Sequence, residues 1–222
     1  MITIENMDVY GWEAAIRGMR NPLNSWDKSD SFSAGMYGYI IGESDLDLMV
    51  KLAKGGSSHA KYRRMINVTV DITAPLYWWK EFDTYKVGTV ANSCSTMHKI
   101  HAKEFTLDDF SHEHLINPAK YRLEAIIDSL NAYRDIFLNF DNEDGDMKQA
   151  FDNNKKNVWW QMIQLLPSSY NQKRTVQLNY EVLVGMFRDR KNHKLDEWHV
   201  LCDWIRELPH SEIITGEGGG EE

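Results

Sequence analysis

The sequence predicts an α+β fold, because its two halves carry different hydrophobic periods. In the first half, "INVTVDIT" (residues 66–73) alternates β-forming with polar side chains, as a half-buried strand does. In the second half, "AKYRLEAIIDSLNAYRDIFLNF" (residues 119–140) places apolar side chains at helical spacing. No repeat or linker interrupts the 222 residues, so we expect one domain over 1–215. The last residues, 216–222, are expected to form a flexible acidic tail.

The first 65 residues are predicted to contain a strand and two helical segments. "MITIENMDVY" is typical of a strand, "GWEAAIRGMR" of a short helix or turn, and residues 21–36 of a loop. Ser44 is expected to cap a helix through "DLDLMVKLA", which Gly55 and Gly56 end.

The stretch "APLYWWKEFDTYKVGT" (residues 74–89) is predicted to join a strand to a helix near 75–85. Pro75 suits the first turn of a helix, where its missing N–H costs nothing. Its aromatic rings fit either a packed core or a binding site at the junction. A polar loop, "VGTVANSCSTMHK", follows, and the chain after residue 106 is expected to be strongly helical, with one helix stopping at Pro167.

Composition limits the classes of partner. A net charge of −8 argues against duplex nucleic acid as a ligand, but leaves room for one anion in a local basic pocket. No apolar run approaches the roughly 18 residues of a membrane span, and the start lacks a signal-peptide pattern. The two cysteines, Cys94 and Cys202, indicate no disulfide framework. We therefore expect a cytoplasmic protein with no membrane contact.

No motif predicts a metal or thiol centre. The pairs His98/His101 and His112/His114 lack the further ligands that complete a zinc set, and are expected to be surface or loop histidines. Cys94 lies in "NSCST", which carries no cysteine-enzyme signature. The tryptophan pairs at 78/79 and 159/160 are expected to pack rather than to stack on a ligand.

Two stretches resemble the flavin-dependent thymidylate synthase family. They are "HAKYRRMINVTVDITAPLYWWKEFDTYKVGTVANSCSTMH" (59–98) and "LLPSSYNQKRTVQLNYEVLVGMFRDRKNHKLDEW" (165–198). In the second, Pro167, Asn179 and Arg190 have eleven and ten residues between them, as in the family. In the first, the positions that match the family's motifs are, in order, His59, Glu81, Thr84, Tyr85, Lys86, Thr89, Asn92 and Ser95.

The resemblance implies a fold with an antiparallel sheet and a largely helical second half, assembled as a homotetramer. It also implies a flavin-dependent methyltransferase that uses FAD, with methylenetetrahydrofolate and NADPH as co-substrates, on dUMP or a related pyrimidine deoxynucleotide. Arg190 matches the catalytic cation at the uracil carbonyl. The implied cofactor residues are His59, Thr84, Tyr85, Lys86, Thr89 and Asn179. The implied substrate residues are Glu81, Ser93, Ser95 and Arg190, with Thr96 a further hydroxyl in the same loop.

Several family positions carry different residues here. Thr84 and Lys86 stand where the family has two arginines, Ile163 replaces another, and Glu81 replaces a glutamine. Lysine keeps the charge of arginine but not its bidentate geometry, and a carboxylate cannot donate as an amide does. A second hypothesis therefore stays open, in which the chain is a catalytically inactive protein of this fold that binds a nucleotide or a protein partner.

Overall fold

The computed structural model describes residues 2–217, and their secondary structure alternates between short strands and helices. The strands are β1 (Thr3–Tyr10), β2 (Phe32–Ser33), β3 (Tyr39–Ile40), β4 (Asn67–Pro75), β5 (Val90–Ser93) and β6 (Asn171–Asn179). The helices are α1 (Trp12–Arg20), α2 (Glu43–Lys54), α3 (Leu76–Phe82), α4 (Thr96–Lys99), α5 (Asn117–Asn139), α6 (Gly145–Ala150), α7 (Lys155–Leu165), α8 (Tyr180–Arg190), α9 (Asp196–Arg206) and α10 (Glu212–Thr215).

The main sheet is antiparallel and has four strands in the order β1-β4-β6-β5. A separate two-stranded ribbon pairs β2 with β3, with Phe32 opposite Ile40. These findings confirm the predicted α+β class with an antiparallel sheet and a largely helical second half. Pro75 is the last residue of β4 and α3 begins directly after it, so the expected strand-to-helix junction is present, with a shorter helix than predicted.

Strand β6 was not predicted, because residues 171–179 were expected to belong to the helical part of the chain. Val176 and Leu178 are buried while Thr175 and Gln177 are exposed, which is the alternation of a strand. The predicted polar loop after residue 87 likewise contains β5 and the single turn α4.

The described chain divides into two compact units. The first comprises residues 2–3, 73–81 and 93–174, and the second residues 4–72, 82–92 and 175–217. Strands β4 and β6 each run from one unit into the other. The expectation of one domain over 1–215 stays a prediction.

The core of the first unit forms where α5 packs against α7. The helical spacing seen in the sequence is the reason, since it places one apolar face of α5 towards its neighbours. The buried members of this core are Ile100, Phe105, Phe110, Leu123, Ile127, Leu130 and Met162. Trp78 and Trp79 are also fully buried, and the Trp79 Nε1–H donates to the Gln172 carbonyl at 2.9 Å. For this tryptophan pair the packing interpretation is confirmed, whereas Trp160 is 38% exposed.

The core of the second unit holds the start of α8 in place. The Tyr180 N–H donates to the Ile66 carbonyl at 3.0 Å, and its hydroxyl donates to the Pro209 carbonyl at 2.7 Å. The Trp12 ring meets the Tyr180 ring edge-on with centroids 5.3 Å apart. Burial raises the pKa of the Tyr180 hydroxyl far above its usual range, so it stays a neutral donor.

A buried carboxylate organises the segment before α2. Asp45 is fully buried, and its carboxylate accepts from the Arg20 Nε at 2.6 Å and from the Ser29 and Ser31 hydroxyls at 2.6 and 2.7 Å. The prediction that Ser44 caps α2 is wrong, since the helix begins at Glu43 after Gly42. The first turn is capped instead by the Asp30 carboxylate, which accepts from the Ser44 and Asp45 N–H groups.

The end of the described chain is tied to α9. The Glu217 carboxylate accepts from the Arg206 Nε at 2.9 Å. Residues 218–222 of the predicted acidic tail lie outside the described residues. Among residues 2–217, no helix is long and apolar enough to cross a bilayer.

Candidate functional site

A groove of about 590 Å³ in the second unit collects four of the residues predicted to bind a cofactor. Its volume lies within the range of small-molecule sites. One side is formed by the turn after α3, and the other by the end of β6 and the exposed face of α8. The lining residues are Arg64, Thr84, Tyr85, Lys86, Val87, Gly88, Asn179, Glu181, Val182, Gly185, Arg188 and Asp189.

Asn179 joins the two sides of this groove. It ends β6, and its Oδ1 accepts from the Val182 N–H at 3.1 Å, which caps α8. Gly88 has a φ of +80°, and a Cβ there would lie 3.0 Å from the Asn179 Nδ2 and 3.1 Å from the Val182 Cγ2. The loop backbone therefore approaches the amide closely, and glycine permits both the dihedral angle and the contact.

The charges of the groove sum to one positive charge, from three cations and two carboxylates. Arg188 bonds Asp189 through its Nε at 2.9 Å, and Glu181 lies 3.5 Å from the buried Arg63. Lys86 and Arg64 make no ion pair with any residue of the described chain. The groove thus has two cationic side chains available to bind an anion. Neither is held in place beforehand by a bidentate ion pair within the described chain.

Arg190, at the end of α8, contacts this groove through Tyr85. Its Nε donates to the Tyr85 hydroxyl at 2.9 Å, and its guanidinium carbon lies 4.6 Å from the Trp198 ring centroid. Trp198 is fully buried, and the Tyr85 and Trp198 rings meet edge-on at 6.1 Å. The predicted catalytic arginine therefore contacts two aromatic rings, Tyr85 and Trp198, the second of which lies on α9.

The other predicted cofactor residues lie apart from the groove lining. His59 is exposed and lines a larger cavity, of about 930 Å³, together with Arg20, Asn24 and Tyr62. Thr89 is half-buried, and its hydroxyl is buried without a hydrogen-bond partner among the described residues. The roles assigned to both stay predictions.

The predicted substrate residues Glu81, Ser93 and Ser95 belong to the first unit. Ser95 and Thr96 line a groove of about 430 Å³ whose charged lining residues are Lys99, Lys103, Lys173, Asp108 and Asp109, with Lys103 ion-paired to Asp109. The Ser95 hydroxyl accepts from the His98 N–H at 3.2 Å. Ser93 is exposed at the end of β5, and Glu81 is half-buried on α3.

Sequence reasoning missed three residues of the site, Arg64, Glu181 and Trp198. Arg64 lies in "KYRRM" directly before β4, and two adjacent arginines in a loop were an available signal for an anion site. The pairing of Glu181 with Arg63, 118 positions earlier, had no local signal. Within residues 2–217, no three His, Cys, Asp or Glu side chains are grouped to hold a metal ion.

The architecture is that of the flavin-dependent thymidylate synthases, as the sequence resemblance implied. A thymidylate synthase X (ThyX) from Helicobacter pylori with FAD and dUMP superimposes with a TM-score of 0.64 at 14% identity, covering 98% of both chains. Another complex of that enzyme gives 0.62 at 15% identity, covering 97% of both chains. A UMP/dUMP methylase, PolB, from Streptomyces cacaoi bound with 5-Br dUMP gives 0.60 at 12% identity, covering 98% of this chain and 96% of its own. No protein-family profile and no curated protein matches the chain by sequence, so the likeness is one of fold.

Proposed function

We propose that this chain is a divergent member of the flavin-dependent thymidylate synthase family, which binds FAD and methylates dUMP or a related pyrimidine deoxynucleotide. One observation carries the proposal. Thr84, Tyr85, Lys86 and Asn179, assigned to the cofactor from two distant stretches of sequence, lie along one groove. Through Tyr85 this groove reaches Arg190, the residue assigned to the base.

The groove has features that fit a flavin nucleotide. Lys86 and Arg64 offer two positive charges for a diphosphate. Gly88 lines the groove and lets the loop backbone lie close to Asn179, which a side chain would prevent. When bound, reduced FAD supplies a hydride, and methylenetetrahydrofolate and NADPH are the proposed co-substrates. The residues of the chain supply binding, orientation and charge.

The second unit offers Arg190 for recognition of the pyrimidine base. The Arg190 guanidinium presents a planar fork to a uracil carbonyl and stabilises negative charge that develops on its oxygen. Separately, in the first unit, we propose that the hydroxyls of Ser95 and Thr96 bind a phosphate group, with Lys99 as the nearby charge in their groove, and that the exposed Ser93 hydroxyl is a further donor.

A second candidate function is favoured by the departures from the family motif. Thr84 replaces an arginine of the family, and Glu81 replaces a glutamine with a carboxylate. Both changes weaken anion binding, as expected if the chain keeps the fold to hold a nucleotide or protein partner without turnover. The colour of the purified protein separates the two candidates, because bound oxidised flavin makes a protein yellow.

The decisive experiment is calorimetric titration of FAD and of dUMP into wild type, Lys86→Ala and Arg190→Ala. We expect Lys86→Ala to weaken FAD about tenfold and Arg190→Ala to weaken dUMP at least about tenfold, since each removes a charge-assisted contact. Lys156→Ala is the matched control, because Lys156 is an exposed lysine of α7 outside both grooves. A wild type that binds neither ligand at millimolar concentration would sink the enzyme proposal and leave the binding-protein candidate.

We also propose a homotetramer in the cytoplasm, as the family resemblance implies. Exposed apolar side chains such as Met36, at 92%, and Ile116, at 72%, are available for subunit contacts. Light scattering of the purified protein should give about four times the mass of one 25.9 kDa chain. A stable monomer at micromolar concentration would contradict the assembly.

A further inference from the structure

We propose that Tyr85 is a positioning residue, whose hydroxyl sets the orientation of the Arg190 guanidinium for pyrimidine recognition. The inference rests on the proposed function, and it changes the role of Tyr85 from a cofactor contact to a support for the base-recognition arginine. The observation behind it is the 2.9 Å hydrogen bond from the Arg190 Nε to the Tyr85 hydroxyl, across 105 positions of sequence.

Two contacts restrain the guanidinium group of Arg190. Trp198 stacks against it, with 4.6 Å between the guanidinium carbon and the ring centroid, and this contact limits tilting of the plane. Stacking alone does not fix how the group is rotated within its plane. A hydrogen bond at Nε stops that rotation, because the three nitrogens of guanidinium are rigidly coupled. The Tyr85 hydroxyl therefore restrains the direction in which the terminal nitrogens point.

Tyr85 is itself well placed to act as a fixed support. Its N–H donates to the Phe82 carbonyl at 3.0 Å, which closes the turn at the end of α3. Its ring meets the buried Trp198 edge-on. Phe82 stacks on Trp198, with the two ring centroids 6.5 Å apart. An arginine held in advance loses less entropy when a ligand binds, so this support should raise affinity for the base.

The experiment uses Tyr85→Phe, which keeps the ring and removes the oxygen that accepts from Arg190. Tyr121→Phe, at a 67% exposed position of α5, is the matched control. The first readout is the Nε–H resonance of Arg190 in an amide-type NMR spectrum without ligand, identified by its loss in Arg190→Lys. We expect this proton to be protected from exchange in wild type and Tyr121→Phe, and unprotected in Tyr85→Phe.

The second readout is the affinity for dUMP and for FAD in a double-mutant cycle. We expect Tyr85→Phe to weaken dUMP about tenfold in the wild-type background, with FAD changed less than about twofold. In an Arg190→Ala background the same substitution should leave the dUMP affinity unchanged, because the group it positions is gone.

Two outcomes overturn the inference. One is an Arg190 Nε–H that stays protected in Tyr85→Phe. The other is a loss of FAD affinity with dUMP affinity intact, which would make Tyr85 a cofactor contact. If wild type binds no nucleotide, the proposed function fails instead, and the resonance alone decides whether Tyr85 holds Arg190.

Discussion

Replacing Gly88 by alanine tests the contact that shapes the candidate groove. An alanine at a φ of +80° costs about 1 kcal/mol in backbone strain. Its Cβ would also lie 3.0 Å from the Asn179 Nδ2 and 3.1 Å from the Val182 Cγ2, so the amide must shift. A weakened cap on α8 adds about 1 kcal/mol, and we expect a total loss of about 2 kcal/mol of unfolding free energy.

Gly56→Ala provides the matched control, because Gly56 has a similar φ of +91° with no atom within 4 Å of an added Cβ. It should lose only the backbone part, about 1 kcal/mol. Urea denaturation measures both variants, and FAD titration should show weaker binding for Gly88→Ala alone. Equal losses of stability in the two variants would refute the reasoning, because the added Cβ at position 88 would then not displace the Asn179 amide.

Two further predictions concern groups outside the groove. Burial pushes the pKa of Asp45 upward, but hydrogen bonds from Ser29, Ser31 and Arg20 outweigh it and hold that pKa below its usual range. Its contribution is therefore complete above the unfolded pKa of about 3.9 and is lost as pH falls through the folded value. Urea titrations from pH 5 to 3 should show wild type losing more stability than Asp45→Asn, and parallel losses would contradict this. Burial raises the pKa of the Cys202 thiol to about 11, whereas Cys94 is exposed. A thiol reagent at pH 8 should thus label one cysteine per native chain and both in urea, and rapid labelling of both in the native state would count against the packing of α9.

Much of the fold was predictable where the evidence is local. Helix α5 shows its apolar period over 23 residues, and Pro75 marks the start of α3. Asn179 and Arg190, whose spacing resembled that of the family, are the N-cap and the last residue of one helix, α8, and their roles stay predictions. Patterns of this kind depend only on neighbours in sequence.

Strand β6 was not predictable because its polar residues are satisfied by distant groups. Gln172 is a buried residue of this strand. Its side-chain amide is satisfied there, because its nitrogen donates to the Cys94 carbonyl at 2.8 Å and its oxygen accepts from the Arg174 Nε at 3.0 Å. A buried glutamine breaks the apolar alternation that would otherwise mark a strand. The hydrogen bond between Tyr85 and Arg190 and the capping of α2 by Asp30 were likewise not predictable, because in each case the partners are distant in sequence.

The linkage of Asp30 and Asp45 has a consequence for how the second unit opens. Asp30 caps α2, and its own N–H donates to the Asp45 carboxylate within that helix, so neither side can detach alone. The ribbon of β2 and β3 lies in the chain between these two residues. Residues 28–45 should therefore exchange their amide hydrogens as one cooperative unit, with a common opening free energy for the ribbon and the first turn of α2.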